Sequence, residues 1–289
     1  MNSRILYHPL TATPFKRNSF YTESAPCKEL RPYVRCYWGT DAPLIQAGDD
    51  GVLGLVIPDT CVDIIYRIDY TANTVEGGFC GINDSSFCSH DRGAVGHMAA
   101  TFAIRFYAWR AYAFADDSMK STINGWLDVG SRFEWLDKIL RPKLLELKTL
   151  QEKASFAGKL LLKRLSDVKE NVIVDNAIQN ILINKGSLDV SDLARDSFVS
   201  TRQLERLFHE YAGITPKKMS NLIRYQCLWR DILFEPDFDI LSAVHKYGYT
   251  DQSHLLREFK RYHSMDIHEA RNIAFKDVGN IQDIFAGSW

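Results

Sequence analysis

No stretch of about eighteen consecutive apolar residues occurs in the 289-residue chain, which excludes an ordinary membrane-spanning helix. The opening MNSRILYHPLTATPFKRNSF lacks the continuous apolar core of a secretory signal, so a cytoplasmic protein is expected. An excess of either charge is missing too: 35 Lys/Arg stand against 36 Asp/Glu, a net −1. That balance argues against a protein that coats nucleic acid indiscriminately. Cysteine is sparse and irregular, with Cys27, Cys36, Cys61, Cys80, Cys88 and Cys227 forming no C-x-x-C. Reduced core residues are expected rather than a disulfide scaffold. Catalytic signatures are absent as well: no G-x-S-x-G, no G-x-x-x-x-G-K-[ST], no H-E-x-x-H. Gly77-Gly78 with Gly81 is too loose for a phosphate loop. No enzyme, no metal and no cofactor is expected.

What is present is organised around Asp239–Tyr262, DILSAVHKYGYTDQSHLLREFKRY. Ile240, Ala243 and Val244 recur at helical spacing, Tyr247-Gly248-Tyr249 breaks the run, and Thr250 or Asp251 can cap a second helix. There Leu255, Leu256 and Phe259 face inward, leaving Gln252, Ser253, His254, Arg257 and Lys260 outside. Leu188–Tyr211 repeats the plan upstream. Val190, Leu193 and Ala194 form its first apolar face, Ser200 with Gln203 gives a capping-box pattern, and Leu204, Leu207 and Phe208 pack inward. Arg202, Glu205, Arg206 and His209 stay outside. Between the copies Pro216–Phe234 reads as one long helix with proline in its first turn. Helix, glycine-containing turn and helix with a polar outer face is the pattern of a helix-turn-helix reader of DNA.

The order Leu193-Ala194, Ser200, Leu204, Arg206, Phe208, Gly213-Ile214-Thr215-Pro216, Arg224, Gly248-Tyr249, Asp251-Gln252-Ser253-His254, Arg257, Phe259-Lys260 resembles the DNA-binding domain of the AraC/XylS family of bacterial transcription regulators. The resemblance spans roughly Val174–Ile273. Phe198 stands where that pattern has glycine, Leu228 and Val244 where it has alanine, and Ser264, Asp266 and Ile267 replace its closing Gly-Ser-Pro.

Both the spacing and the resemblance imply that Arg202, Glu205, Arg206, Gln252, Ser253, His254 and Arg257 contact bases. Arginine can donate twice to guanine, glutamine can pair with adenine, and glutamate can accept from cytosine. Ser200, Thr201, Lys217, Lys218, Thr250 and Lys260 are expected at phosphates. The bland alternative for each is a solvated helix face. Within 185–275 there are 13 Lys/Arg and 13 Asp/Glu, so the basic character is local and nonspecific affinity should be modest and salt-dependent.

The N-terminal half reads differently. Leu30–Thr40, Val52–Ile68 (split by Pro58-Asp59-Thr60) and Met98–Trp109 suit strands. Gln46–Gly51 and Asn73–Gly78 suit turns, and Gly77–Gly96 a loop with short strands. Ala111–Met119 looks helical. From Trp126 a helix capped by Asp128 or Ser131 should run to Leu140, with Pro142 restarting one and Leu144–Leu165 continuing. The fold class expected is an α+β N-terminal domain with a helical connector, followed by an all-α double helix-turn-helix domain. The boundaries are 1–125, 126–172 (with Lys169–Val172 as linker), 173–275 and a tail 276–289.

PYVRCYW, IPDTCVDIIY and IRFYAW resemble the N-terminal sensor domain of one branch of AraC-type regulators, with Thr60 in place of the glycine of P-D-G-C-x-D. This implies regulation by an unknown small-molecule effector. Arg35, Trp38, Cys61, Asp63, Arg105, Tyr107 and Trp109 are candidate pocket residues, an apolar lining with a few polar anchors. Core packing for the aromatics, and a turn-tying role for Asp63, remain alternatives. So does a metal or thiol input at Cys80, Cys88, His90 and His97, although their spacing matches no compact site. The expected partners are double-stranded DNA, RNA polymerase and a second copy of the chain.

Overall fold

The computed structural model describes residues 7–10, 12–13, 21–46, 52–90, 94–168 and 170–276. The strands among them are β1 (Ala12–Thr13), β2 (Thr22–Ser24), β3 (Val34–Gly39), β4 (Leu44–Ile45), β5 (Val52–Val56), β6 (Cys61–Asp69), β7 (Thr74–Cys80), β8 (Phe87–His90), β9 (Met98–Tyr107) and β10 (Trp126–Asp128). The helices are α1 (Ala108–Ala111), α2 (Gly130–Lys143), α3 (Leu150–Arg164), α4 (Val172–Ile183), α5 (Val190–Asp196), α6 (Thr201–Ala212), α7 (Pro216–Phe234), α8 (Ile240–Lys246), α9 (Gln252–His263) and α10 (Ile267–Lys276). No described helix is long and apolar enough to cross a membrane. Beyond Gln46 the expected turn at Gln46–Gly51 lies outside the described residues, as do Lys169 and the tail past residue 276.

The larger sheet has the order β10-β7-β6-β9-β3-β2, with β4 added beside β9, and the pairs are antiparallel. Alternation along the strands sorts its two faces. Val62, Ile64 and Tyr66 stand opposite Phe106, Ile104 and Phe102, and all six are buried. α2 and α3 cover this face: Phe133 stacks on Phe106 at 5.9 Å, and the Tyr66 hydroxyl donates to Asp137 at 2.9 Å. The other face carries Cys61, Asp63, Arg105, Tyr107 and Trp38. A smaller sheet, β1-β5-β8, completes the strands. α4 to α10 form the helical C-terminal part.

Several local expectations are corrected. Thr74–Cys80 is a strand, not a turn and loop; only Asn73 takes the turn conformation, at φ 56°. Gly77 and Gly78 sit inside it to make room for rings. A Cβ on Gly77 would lie 2.8 Å from the Tyr66 ring, and one on Gly78 would run into Trp126. Trp126–Asp128, expected within a helical segment, is an edge strand on β7. The following helix starts at Gly130 after Val129 rather than at an Asp128 or Ser131 cap, and it kinks at Phe133. Pro142 lies in its last turn and restarts nothing.

The expected continuous helix Leu144–Leu165 begins instead at Leu150, where Thr149 and Glu152 form a full capping box. Within Ala111–Met119 only a short 3-10 turn forms, Tyr112–Phe114, followed by irregular chain. Its backbone groups go elsewhere: Asp116 N–H donates to Arg132 O at 2.7 Å and Met119 N–H to Glu210 O at 2.8 Å. Val172, expected in a linker, opens α4 under an Asn171 cap.

Candidate nucleic-acid interface

Each C-terminal hairpin is defined by side-chain caps and apolar spacing. Ser200 Oγ accepts from Gln203 N–H at 3.2 Å, which starts α6. Leu204, Leu207 and Phe208 are buried beneath it, while Thr201, Arg202, Glu205 and Arg206 are exposed. Asp251 caps α9, accepting from His254 N–H at 2.7 Å, so the second cap is Asp251 and Thr250 stays exposed beside it. Leu255 and Phe259 are buried, Leu256 only half so, and Gln252, Ser253, Arg257 and Lys260 are exposed. His254 differs: it is half-buried, with its ring edge-on to Tyr249 at 5.3 Å.

Each DNA-facing candidate helix is pinned from behind by α7, whose start is capped by Thr215 with Pro216 following. Arg224 of α7 grips Glu258 of α9 through Nε at 3.1 Å and Nη2 at 2.8 and 2.9 Å. The Tyr249 hydroxyl donates to the same carboxylate at 2.9 Å, and the Arg224 guanidinium lies 4.3 Å from the Tyr249 ring centre. All three residues are buried. Glu258 was not singled out in the sequence; its position on the same helix face as Leu255 and Phe259 is the signal that it points inward.

The helical part also docks on the N-terminal part. Gln226, in the middle of α7 and buried, accepts from Leu10 N–H at 2.7 Å. Its Nε2 donates to Leu10 O at 2.8 Å and to Pro58 O at 2.6 Å. Tyr211 of α6 packs on Tyr112 at 4.4 Å. Gly213, at φ 76°, faces the same contact, and a Cβ there would lie 2.6 Å from Thr122 Oγ1. Lys218 binds Asp84 at 2.9 Å, whose carboxyl is held below its usual range by this hydrogen bond. Lys217 stays exposed, 4.0 Å from Asp189.

Residues 193–273 match the helix-turn-helix domain family, from within α5 through the second hairpin. The chain carries a helix-turn-helix domain over these residues. Residues 22–127 match a domain of unknown function, DUF6597. No curated protein matches the chain.

Among solved structures, a transcriptional regulator from Chromobacterium violaceum described as having an AraC-type DNA-binding domain is similar. Identity is 22%, with 37% of this chain and 95% of that one covered and a TM-score of 0.34. The C-terminal domain of AraT, a response regulator from Geobacillus stearothermophilus, aligns at 20% identity over 39% and 97%, TM-score 0.34. Unsaturated fatty acid-bound ToxT from Vibrio cholerae aligns over 92% of this chain and 99% of that one, at 8% identity and TM-score 0.41.

On the N-terminal side of the helix-turn-helix domain, the second face of the large sheet gathers most of the candidate pocket residues. Arg105 donates through Nη1 to Asp63 at 2.8 Å and pairs through Nη2 with Asp59. Trp38 Nε1 donates to Asp63 at 2.8 Å, and Asp59 accepts from Cys61 N–H at 2.6 Å. Burial pushes the Asp63 carboxyl above its usual range despite the Arg105 charge beside it. Arg35 reaches Glu23 at 3.5 Å, and its Nε is buried with no partner.

Tyr107 and Trp109 stack at 5.2 Å, the Tyr107 hydroxyl donating to Tyr7 O at 3.1 Å. Asp59, missed in the sequence, completes the cluster. Burial pushes the Cys61 thiol far up and Cys80 to about 11, which disfavours the reactive thiolate. Among the described residues no group of three His, Cys, Asp or Glu side chains could hold a metal ion, and His97 pairs instead with Asp69 at 2.7 Å.

Proposed function

We propose that the chain is a sequence-specific, DNA-binding transcription regulator that acts as an activator in the cytoplasm and answers to a small-molecule effector. The observation that carries this is the pairing of α6 and α9. Each has a side-chain cap and a buried apolar face; α6 turns exposed Arg202, Gln203, Glu205 and Arg206 outward, and α9 turns exposed Gln252, Ser253 and Arg257 outward. α7 has 19 residues, about 28 Å at ~1.5 Å per residue, near the ~34 Å of one turn of duplex. Arg202, Glu205 and Arg206 then read one major-groove segment, and Gln252, Ser253 and Arg257 the next, with His254 bracing Tyr249 beside them. Ser200, Thr201, Lys217, Thr250 and Lys260 grip phosphates, and Lys218 joins them once it leaves Asp84. The Arg105–Asp59–Asp63 cluster with Trp38, Arg35, Cys61, Tyr107 and Trp109 forms the polar anchor and walls of the effector pocket. RNA polymerase and a second copy of the chain are the protein partners.

The test is a selection of genomic DNA fragments by the purified full chain at physiological salt, with and without cell extract. Enrichment of one site, altered by extract, is the expected result. The even charge of residues 185–275 favours a competing reading, a helical module that binds protein. Absence of enrichment in either condition decides for that module.

A further inference from the structure

The turn between α5 and α6 holds a residue whose conformation and exposure both run against folding. Phe198 lies at φ 56°, in the left-handed region that a bulky side chain rarely occupies. The backbone is fixed there by Phe198 N–H to Arg195 O and Val199 N–H to Ala194 O, both 3.0 Å. The side chain gains nothing in return, being 96% exposed. The matching position of the second hairpin is Gly248, at φ 65°, which adopts this conformation without a Cβ penalty. The two hairpins thus share a backbone turn, and only the first projects a phenyl ring from it. Strain of this kind persists where a residue serves a partner.

Phe198 precedes the Ser200 cap by two residues and Arg202 by four, so it sits in the turn that leads into α6, the helix whose exposed side chains are assigned to the major groove. We propose that Phe198 reads DNA: its ring packs on the 5-methyl group of a thymine at the edge of the segment read by α6. Apolar contact with that methyl is how an aromatic side chain distinguishes thymine in the major groove. The proposal rests on the DNA-binding reading above.

The experiment uses the full chain, its selected site, and copies of that site with each thymine replaced in turn by deoxyuracil, which lacks only the methyl. Affinities are measured for the wild type, Phe198→Gly and Phe198→Leu, with melting temperatures alongside. Phe198→Gly should melt higher, because the turn loses its strain, yet bind the intact site about tenfold more weakly. One thymine position should cost the wild type affinity on methyl removal and cost Phe198→Gly nothing, with Phe198→Leu between them. Equal affinity of Phe198→Gly and wild type overturns the proposal, and so does a loss that is the same at every thymine, which points to a protein or sugar contact. If the wild type selects no site, the DNA-binding reading falls with it; if it selects one, only the Phe198 assignment is at stake.

Discussion

His263 is fully buried at the end of α9, its ring stacked on Phe259 at 4.9 Å and tilted against Trp229 at 4.4 Å. Nδ1 meets the Tyr225 hydroxyl at 2.8 Å, and Nε2 has no partner. Burial lowers its pKa from 6.5 to about 4 because the imidazolium would be cut off from water. Above pH 6.5 both folded and unfolded chains carry it neutral; below, the unfolded chain takes up the proton first, so stability falls as pH drops from about 6.5 toward 4. The window is worth of the order of 3 kcal/mol in full, and about 2 kcal/mol of it should be lost between pH 7 and pH 5. Urea unfolding at those two pH values should show that loss in the wild type and a clearly smaller one in His263→Phe. Equal losses would mean that His263 is not the group responsible.

At the scale of elements, the second hairpin is held to α7 by a buried ion pair, Arg224–Glu258. Removing one partner strands the other charge out of water, so Arg224→Ala should destabilise the fold by roughly 3–5 kcal/mol, with α9 losing its register on α7. Replacing both, Arg224→Met with Glu258→Leu, should recover most of that stability. Chemical denaturation of the three proteins decides it, and a double variant as unstable as Arg224→Ala would contradict this account.

The helices that build the hairpins were legible in the sequence because their signals are local: Ser200, Thr215 with Pro216, Asp251 and the i, i+3, i+4 apolar positions. β7 was not legible, because glycines that read as a turn are there to admit Tyr66 and Trp126 from other strands. The start of α3 is written in the sequence, since Thr149-x-x-Glu152 is a capping-box pattern.

Over the whole molecule, the two parts meet through contacts that no local pattern announces. Gln226 reaches Leu10 and Pro58, and Pro58 adjoins Asp59, which holds Arg105. The cluster assigned to the effector is therefore one residue away from a hydrogen bond to α7. Of that cluster Asp63 and Arg105 were read as polar anchors and Trp38 as aromatic lining, from residue type, whereas Asp59 and Gln226 emerge only when distant segments fold together. Lys218, expected at phosphate, is held by Asp84 in this arrangement. Both side chains are partly exposed, so the pair contributes no more than about 1 kcal/mol. Asp84→Asn should leave stability nearly unchanged and raise DNA affinity about threefold, through the freed lysine and the lost negative charge. Affinity measured by anisotropy checks this, and an unchanged or weaker value would show that Lys218 does not face DNA.

The central claim is that α6 and α9 read two separate segments of one site. The most direct measurement is the base preference of Arg206→Ala and Arg257→Ala at every position of the selected site, with folding verified for each. Each substitution should cost about 1–3 kcal/mol of affinity and relax preference in one segment only, the two segments lying roughly one turn of duplex apart. Relaxation of the same segment by both, or undiminished affinity in either, would contradict the account.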